Sequence, residues 1–271
     1  LMLRTCSSDC TPAFSSARIT LDEGTLDTFR SGGILNGAWT VVGCFKRSGD
    51  TGDGTQYLIC CVTSGSVRFG LSYSSGSAIQ VEINGVARTF DANFTISNDT
   101  WYVIVVRKAA GTATPSAKLF ALAASTATAW TNATDPLDDS TDLPTELQLG
   151  NRPNDFPLNG KIAGLALYSS DVGTTVGDTF GTGLQEWLDA APVGMWPLQQ
   201  ASTSTAVEDI VGTAEQTAIT GTSVDTGDDP PNFDLSLGAQ TVAVGQVTET
   251  GTAQPIAWQI RRLIGQVAES E

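Results

Sequence analysis

Apolar and polar residues alternate along much of the chain, so the first elements read from it are strands. Trp39, Val41 and Phe45 share one face of a candidate strand, and Val67, Phe69, Leu71 and Tyr73 share one face of another, the period of two expected of half-buried strands. Ile79, Val81 and Ile83 alternate with Gln80, Glu82 and Asn84. Asn84-Gly85 then supplies a two-residue turn that tolerates positive φ before Val86–Phe90 returns, a hairpin signature. Further strands are predicted at Gln56–Thr63, Trp101–Lys108, Ser116–Ala123, Glu146–Gly150 and Lys161–Tyr168, separated by clusters of Gly, Asn, Asp, Pro and Ser that favour turns. One helix is predicted over Thr179–Ala190, where Phe180, Leu184, Trp187 and Leu188 fall at helical spacing ahead of Pro192. Its apolar stripe suits a lid packed on the strands.

This pattern predicts an all-β fold, an antiparallel β-sandwich with one short helix. Residues 1–17 read as an N-terminal extension, 18–200 as the sandwich, 201–233 as a closing segment and linker rich in Thr, Asp, Gly and Pro, and 234–271 as an extended C-terminal arm. Within the arm, Val244–Thr250 (VGQVTET) recurs as Ile264–Ser270 (IGQVAES), a repeat with a period of 20 residues. So short a repeat cannot bury a core alone. Val244, Gln246, Val247, Ile264, Gln266 and Val267 are therefore candidate assembly residues, whose alternation offers main-chain hydrogen bonds to a neighbouring chain.

Composition narrows the chemistry. With 14 Lys and Arg against 29 Asp and Glu, the net charge of −15 repels a phosphate backbone and an anionic membrane surface, so neither nucleic acid nor membrane is an expected partner. The chain has no histidine, which excludes Ser-His-Asp and Cys-His catalysis and His-ligated zinc within it. Its 5 cysteines, Cys6, Cys10, Cys44, Cys60 and Cys61, are an odd set without paired CxxC spacing and read mostly as small buried hydrophobes, with Cys6 and Cys10 able to close a small disulfide in an oxidising setting. Leu1–Cys10 lacks a long apolar core, and no run of about 18 apolar residues occurs, so neither a signal peptide nor a transmembrane helix is expected.

Four passages stand in an order that carries more information. They are Ala38–Lys46 (AWTVVGCFK), Asn98–Arg107 (NDTWYVIVVR), Leu147–Asn151 (LQLGN) and Phe156–Tyr168 (FPLNGKIAGLALY). Over residues 15–190 this order resembles the laminin G-like, concanavalin-type jelly-roll family: an early core strand, a turn followed by a Trp-bearing strand, and a closing pair before a short helix. The resemblance implies a jelly roll. On that reading Trp101 fills the sandwich interior, and Ile162, Gly164 and Ala166 line one face of their strand. Pro192–Leu198 and Gln246–Ile256 resemble segments of tailed-bacteriophage virion proteins.

Glycoside hydrolases on this fold present a Glu-x-Asp-x-x-Glu cluster from one strand. That cluster is absent here and Glu82 is isolated, so no enzyme activity is expected. Relatives of the fold hold calcium in acidic loops, and Asp50 with Asp53, or Asp135 with Asp138, offer hard oxygen ligands in short turns. For a glycan, Tyr57, Tyr73 and Trp130 are the candidate aromatic platforms. The expected role is a structural protein on the surface of a tailed-phage virion, head decoration or tail component, assembling through its arm with copies of itself and other virion proteins and offering a lectin-like jelly roll to a host surface glycan. The alternative is a secreted, calcium-dependent carbohydrate-binding adhesion module acting outside the cell.

Overall fold

The structure, a computed structural model, describes residues 2–5, 18–21, 37–48, 55–63, 66–74, 78–83, 85–90, 94, 96–110, 114–136, 146–150, 158–197, 210–211, 216–220, 222–225, 230–235 and 237. Its strands in chain order are β1 (Met2–Thr5), β2 (Arg18–Leu21), β3 (Trp39–Arg47), β4 (Thr55–Thr63), β5 (Ser66–Ser74), β6 (Ile79–Ile83), β7 (Val86–Thr89) and β8 (Thr100–Lys108). There follow β9 (Ser116–Ala121), β10 (Thr126–Ala127), β11 (Thr131–Asn132), β12 (Glu146–Leu149) and β13 (Gly160–Tyr168). After two short helices, α1 (Gly173–Gly177) and α2 (Leu184–Asp189), come β14 (Gly194–Pro197), β15 (Gln216–Thr220) and β16 (Thr222–Asp225).

The strands form two antiparallel sheets packed as a jelly-roll sandwich. One runs β10-β9-β8-β3-β13-β1-β16, with β11 on β9 and β14 on β13; the other runs β15-β2-β12-β4-β5-β6-β7. Strands β4 to β7, β8 to β10, and β13 with β14 pair in simple succession, while β3 lies between β8 and β13, strands distant in sequence. The β6–β7 hairpin turns at Gly85, whose φ of 77° lies where a side chain is strained, as the Asn-Gly pair predicts.

Between the sheets lies a core that includes Trp39, Val41, Phe45, Phe69, Leu71 and Tyr102. A second core covers the opposite face of the β3-containing sheet, where Val42, Cys44, Val103, Val105 and Tyr168 meet Phe180, Leu184 and Trp187 from the helical lid. Hence β3, β8 and β13 bury both faces. Three expectations change as a result. Trp101 belongs to the lid-side core, because Tyr102, Ile104 and Val106 take the inter-sheet face and strand parity turns Trp101 away. A register shift between Ile162 and Gly164 sends Ile162 to the inter-sheet core while Gly164 faces the lid, within 3.0 Å of Leu184 when a Cβ is added. On β5, Cys61 pairs Phe69 and Val62 pairs Val67, so Arg68 is an extra residue and Val67 joins Tyr57, Cys60 and Val62 in a separate outer cluster, the expected effect of a bulge.

The predicted helix is also shorter than its apolar stripe. Residues 179–183 form turns, with an extended Gly183 (φ 176°), before α2 begins at Leu184. Phe180 is nevertheless fully buried, because the turn delivers it to the same face. Leu1–Leu237 forms one compact unit. Met2–Thr5, assigned by sequence to an extension, is a strand of the first sheet, and Phe233, Leu235 and Leu237 pack with the lid-side core. Gly238–Glu271, with all six candidate assembly residues, lies outside the described residues, as do Cys6 and Cys10. Cys44 and Cys61 are free and buried, and Cys60 is buried next to Cys61 in the chain.

Candidate functional site

On β9, Ala117 and Leu119 point into the inter-sheet core, so Lys118 and Phe120 emerge on the lid side. Opposite them the turn between α1 and α2 is anchored by buried Phe180, which presents Asp178, Gly181 and Thr182 toward the strand. The two walls enclose an open groove of about 370 Å³. Phe120, Ala121 and Leu122 supply its apolar surface, and Lys118, Ser125, Thr126, Asp178, Thr182 and Asn232 its polar rim. Gly181 is required at the closest approach: a Cβ there would stand 2.4 Å from Phe120 Cδ1.

Charge in the groove is internally balanced. Lys118 Nζ donates to Asp178 Oδ1 at 2.8 Å, and the Trp130 indole N–H donates to the same oxygen at 2.8 Å. The Lys118 hydrogen bond, opposed by partial desolvation and helped by Trp130 and by the charges of Lys118 and Arg107, holds the Asp178 carboxyl below its ordinary range. Asp178 is thus an anion at neutral pH, able to accept hydroxyl donors. Trp130 is fixed from behind, with the Arg107 guanidinium 5.0 Å from its ring centroid and Gly177 so close that a Cβ would lie 2.8 Å from Cζ2. Arg107 Nη1 in turn donates to both Asp171 carboxylate oxygens at 2.6 Å.

The aromatic residues singled out from sequence have other duties. Tyr73 is 1% exposed, stacks on Phe45 at 6.0 Å and donates its hydroxyl to Gln56 Oε1. Tyr57 is 2% exposed and donates to Glu82 Oε2, so neither ring offers a face to solvent as a platform. Their parity on β5 and β4 decided this: Tyr73 follows the inter-sheet face, and Tyr57 packs over Gly70, where a Cβ would stand 2.8 Å from its ring. Trp130 is half-buried beside the groove and serves to position Asp178. Among the calcium candidates, Asp135 is exposed, while Asp50, Asp53 and Asp138 lie outside the described residues. Among the described residues no three Asp, Glu, His or Cys side chains gather to hold a metal, and no helix is long and apolar enough to cross a membrane.

Sequence reasoning passed over Phe120, Lys118, Asp178 and Asn232. A signal for the first was present: Ala117, Leu119 and Ala121 set the inward parity of β9, which leaves an aromatic ring at Phe120 on the outward parity. Lys118 shares that parity, but Asp178 and Asn232 could not be found this way, because they come from parts of the chain far from β9; Asn232 reaches the Leu122 carbonyl by a hydrogen bond across 110 residues.

No family model and no curated protein matches the sequence. Among solved structures, a native heptameric SAP-like pentraxin from Limulus polyphemus is similar over 66% of this chain and 81% of its own, with 11% identity and a TM-score of 0.46. The CBM40 of Ruminococcus gnavus IT-sialidase, bound to α2,3-sialyllactose, is similar over 65% of this chain and 94% of its own, with 13% identity and a TM-score of 0.43. Trypanosoma rangeli sialidase aligns over 52% of this chain at 15% identity and a TM-score of 0.38, and the chain spans 22% of that protein's length.

Proposed function

We propose that this chain is a non-catalytic, lectin-like binding module that takes a neutral saccharide in the groove between β9–β10 and the α1–α2 turn. One observation carries the reading: the partly exposed Phe120 ring is flanked by a Lys118–Asp178 pair that cancels its own charge, with Ser125, Thr126, Thr182 and Asn232 around it. An apolar surface with a few convergent polar groups suits the C–H face and hydroxyls of a sugar. With the single cation already paired, the groove favours a neutral ligand over a carboxylate-bearing one. A non-catalytic role is supported by the lining of the groove, where Asp178 is the one carboxylate among the described residues and glycoside hydrolysis ordinarily uses two.

Calorimetric titration with lactose, maltose, cellobiose and N,N′-diacetylchitobiose tests the reading. Saturable binding of at least one, lost in Phe120→Ala, is expected; no heat with any of the four would sink it.

A second reading places the module on a tailed-phage virion, with copies of itself and other virion proteins as partners and a host glycan as target. It is favoured by the 20-residue repeat at Val244–Thr250 and Ile264–Ser270. Deleting residues 238–271 should then abolish incorporation into particles, and unchanged incorporation would remove this reading.

A further inference from the structure

The segment Pro230–Leu235 touches both walls of the groove. On the strand side, Asn232 Nδ2 donates to the Leu122 carbonyl at 3.0 Å and to Ser125 Oγ at 3.3 Å, at the turn between β9 and β10. Two residues on, the Asp234 N–H donates to the Thr182 carbonyl at 2.8 Å, and the Leu184 N–H donates to the Asp234 carbonyl at 2.8 Å. Between these attachments Phe233, 7% exposed, rests its ring 5.6 Å from that of Trp187. Gly183 lets the two backbones meet, since a Cβ there would stand 2.7 Å from the Asp234 carbonyl oxygen. Asn232 also lines the groove, and it holds a left-handed φ of 57°, which its short amide tolerates.

This attachment is of a different kind from the sheets around it. Gly183 and Asp234 form an isolated parallel bridge outside any named strand, whereas β3 and β8 share nine paired positions. An attachment made through an isolated bridge, a side-chain amide and a few apolar side chains opens locally at lower free energy than a continuous ladder.

We propose that Pro230–Leu235 is a clasp that completes the groove, so that saccharide occupancy and clasp docking are thermodynamically linked. The linkage rests on the saccharide reading of the groove. Docked, the clasp holds the β9–β10 turn and the lid turn at a fixed separation and adds the Asn232 side chain to the rim. Released, it frees both walls at once, and a ligand that bridges them favours the docked state.

Amide hydrogen exchange on the full chain, followed residue by residue by NMR, tests the clasp. The reporters are the Leu184 and Asp234 amides, with Val106 on β8 as the control for global stability. Saturation with the tightest of the four disaccharides should slow Leu184 and Asp234 by about five-fold or more, the lower end of ordinary coupling, and leave Val106 unchanged. Asn232→Gly keeps the left-handed backbone while removing both side-chain hydrogen bonds. It should speed exchange at Leu184, on the opposite wall, and weaken saccharide binding. Should Asn232→Gly fail to fold, Phe233→Leu removes the ring contact and keeps an apolar plug, with the same expected direction.

Equal exchange at Leu184 and Asp234 with and without bound saccharide would overturn the linkage. If none of the four disaccharides binds the unaltered chain, the saccharide reading fails. The clasp is then judged on Asn232→Gly alone: faster exchange at Leu184 supports it, and unchanged exchange overturns it.

Discussion

Trp130 donates its indole N–H to Asp178 Oδ1 at 2.8 Å, tying a residue of the β10–β11 connection to the end of the first lid helix. Lys118 reaches the same oxygen at 2.8 Å, so one carboxylate joins strand β9, the connection after β10 and the lid. The geometry makes Asp178 the pivot of the groove and turns Trp130 into a reporter on it.

Its pH dependence has a definite sign. The folded carboxyl is held below its ordinary value, so the pair's contribution to stability is present above the unfolded pKa of about 3.9 and is lost as pH falls through the lower folded value. Asp178 is well exposed, with 47% of its side-chain surface accessible, so the contribution stays below about 1 kcal/mol. The difference in urea midpoint between the unaltered chain and Asp178→Asn should be flat from about pH 5 to 7 and shrink below about pH 4. A difference that grows on acidification would contradict the assignment.

Saccharide binding in this groove should not need calcium. Its rim holds one carboxylate that is already occupied by two donors on one oxygen, far from the six to eight oxygens calcium takes. Affinity measured before and after chelation should agree. Loss of binding with chelator would transfer the site to the acidic loops at Asp50–Asp53 or Asp135–Asp138.

Much of the sandwich was legible because alternation survives wherever a strand has one wet face or pairs without interruption. Trp39, Val41 and Phe45 on β3, and Ile79, Val81 and Ile83 on β6, all enter the inter-sheet core as their spacing requires. The reading failed at bulges, where one extra residue reverses parity: Arg68 turns Val67 outward, and the shift after Ile162 separates it from Gly164 and Ala166. It failed again for Trp101, since β8 is apolar on both faces and alternation then carries no direction. The groove was nearly invisible for a further reason: apart from Lys118 and Phe120 on β9, its walls are a β-turn, a lid turn and Asn232, none of which carries a periodic signal.

Gly164 offers a direct test of the lid. A Cβ there would approach Leu184 Cδ2 to 3.0 Å and Trp187 Cζ3 to 3.2 Å, in a layer where Trp187 is fully buried and donates its N–H to the Phe180 carbonyl at 2.8 Å. Gly164→Ala should destabilise the chain by about 1–3 kcal/mol, the usual cost of overpacking, in chemical denaturation. A neutral result would mean that α2 is not seated on β13 as described.

The thiols make a separate prediction. Burial pushes the Cys61 thiol up to about 12 and raises Cys44 well above its ordinary value. Both should resist iodoacetamide in the folded chain at pH 8 and react after denaturation, as read by peptide mass. Rapid labelling of the folded chain at Cys61 would contradict its place in the inter-sheet core.

The most direct test of the central claim is to titrate the four neutral disaccharides into isotopically labelled protein and map the amide shifts. The account predicts that the largest shifts fall on Lys118, Phe120, Asp178, Thr182 and Asn232, on both walls of one groove. Shifts confined to the opposite sheet around Tyr57 and Glu82, or no shifts at any concentration, would contradict it.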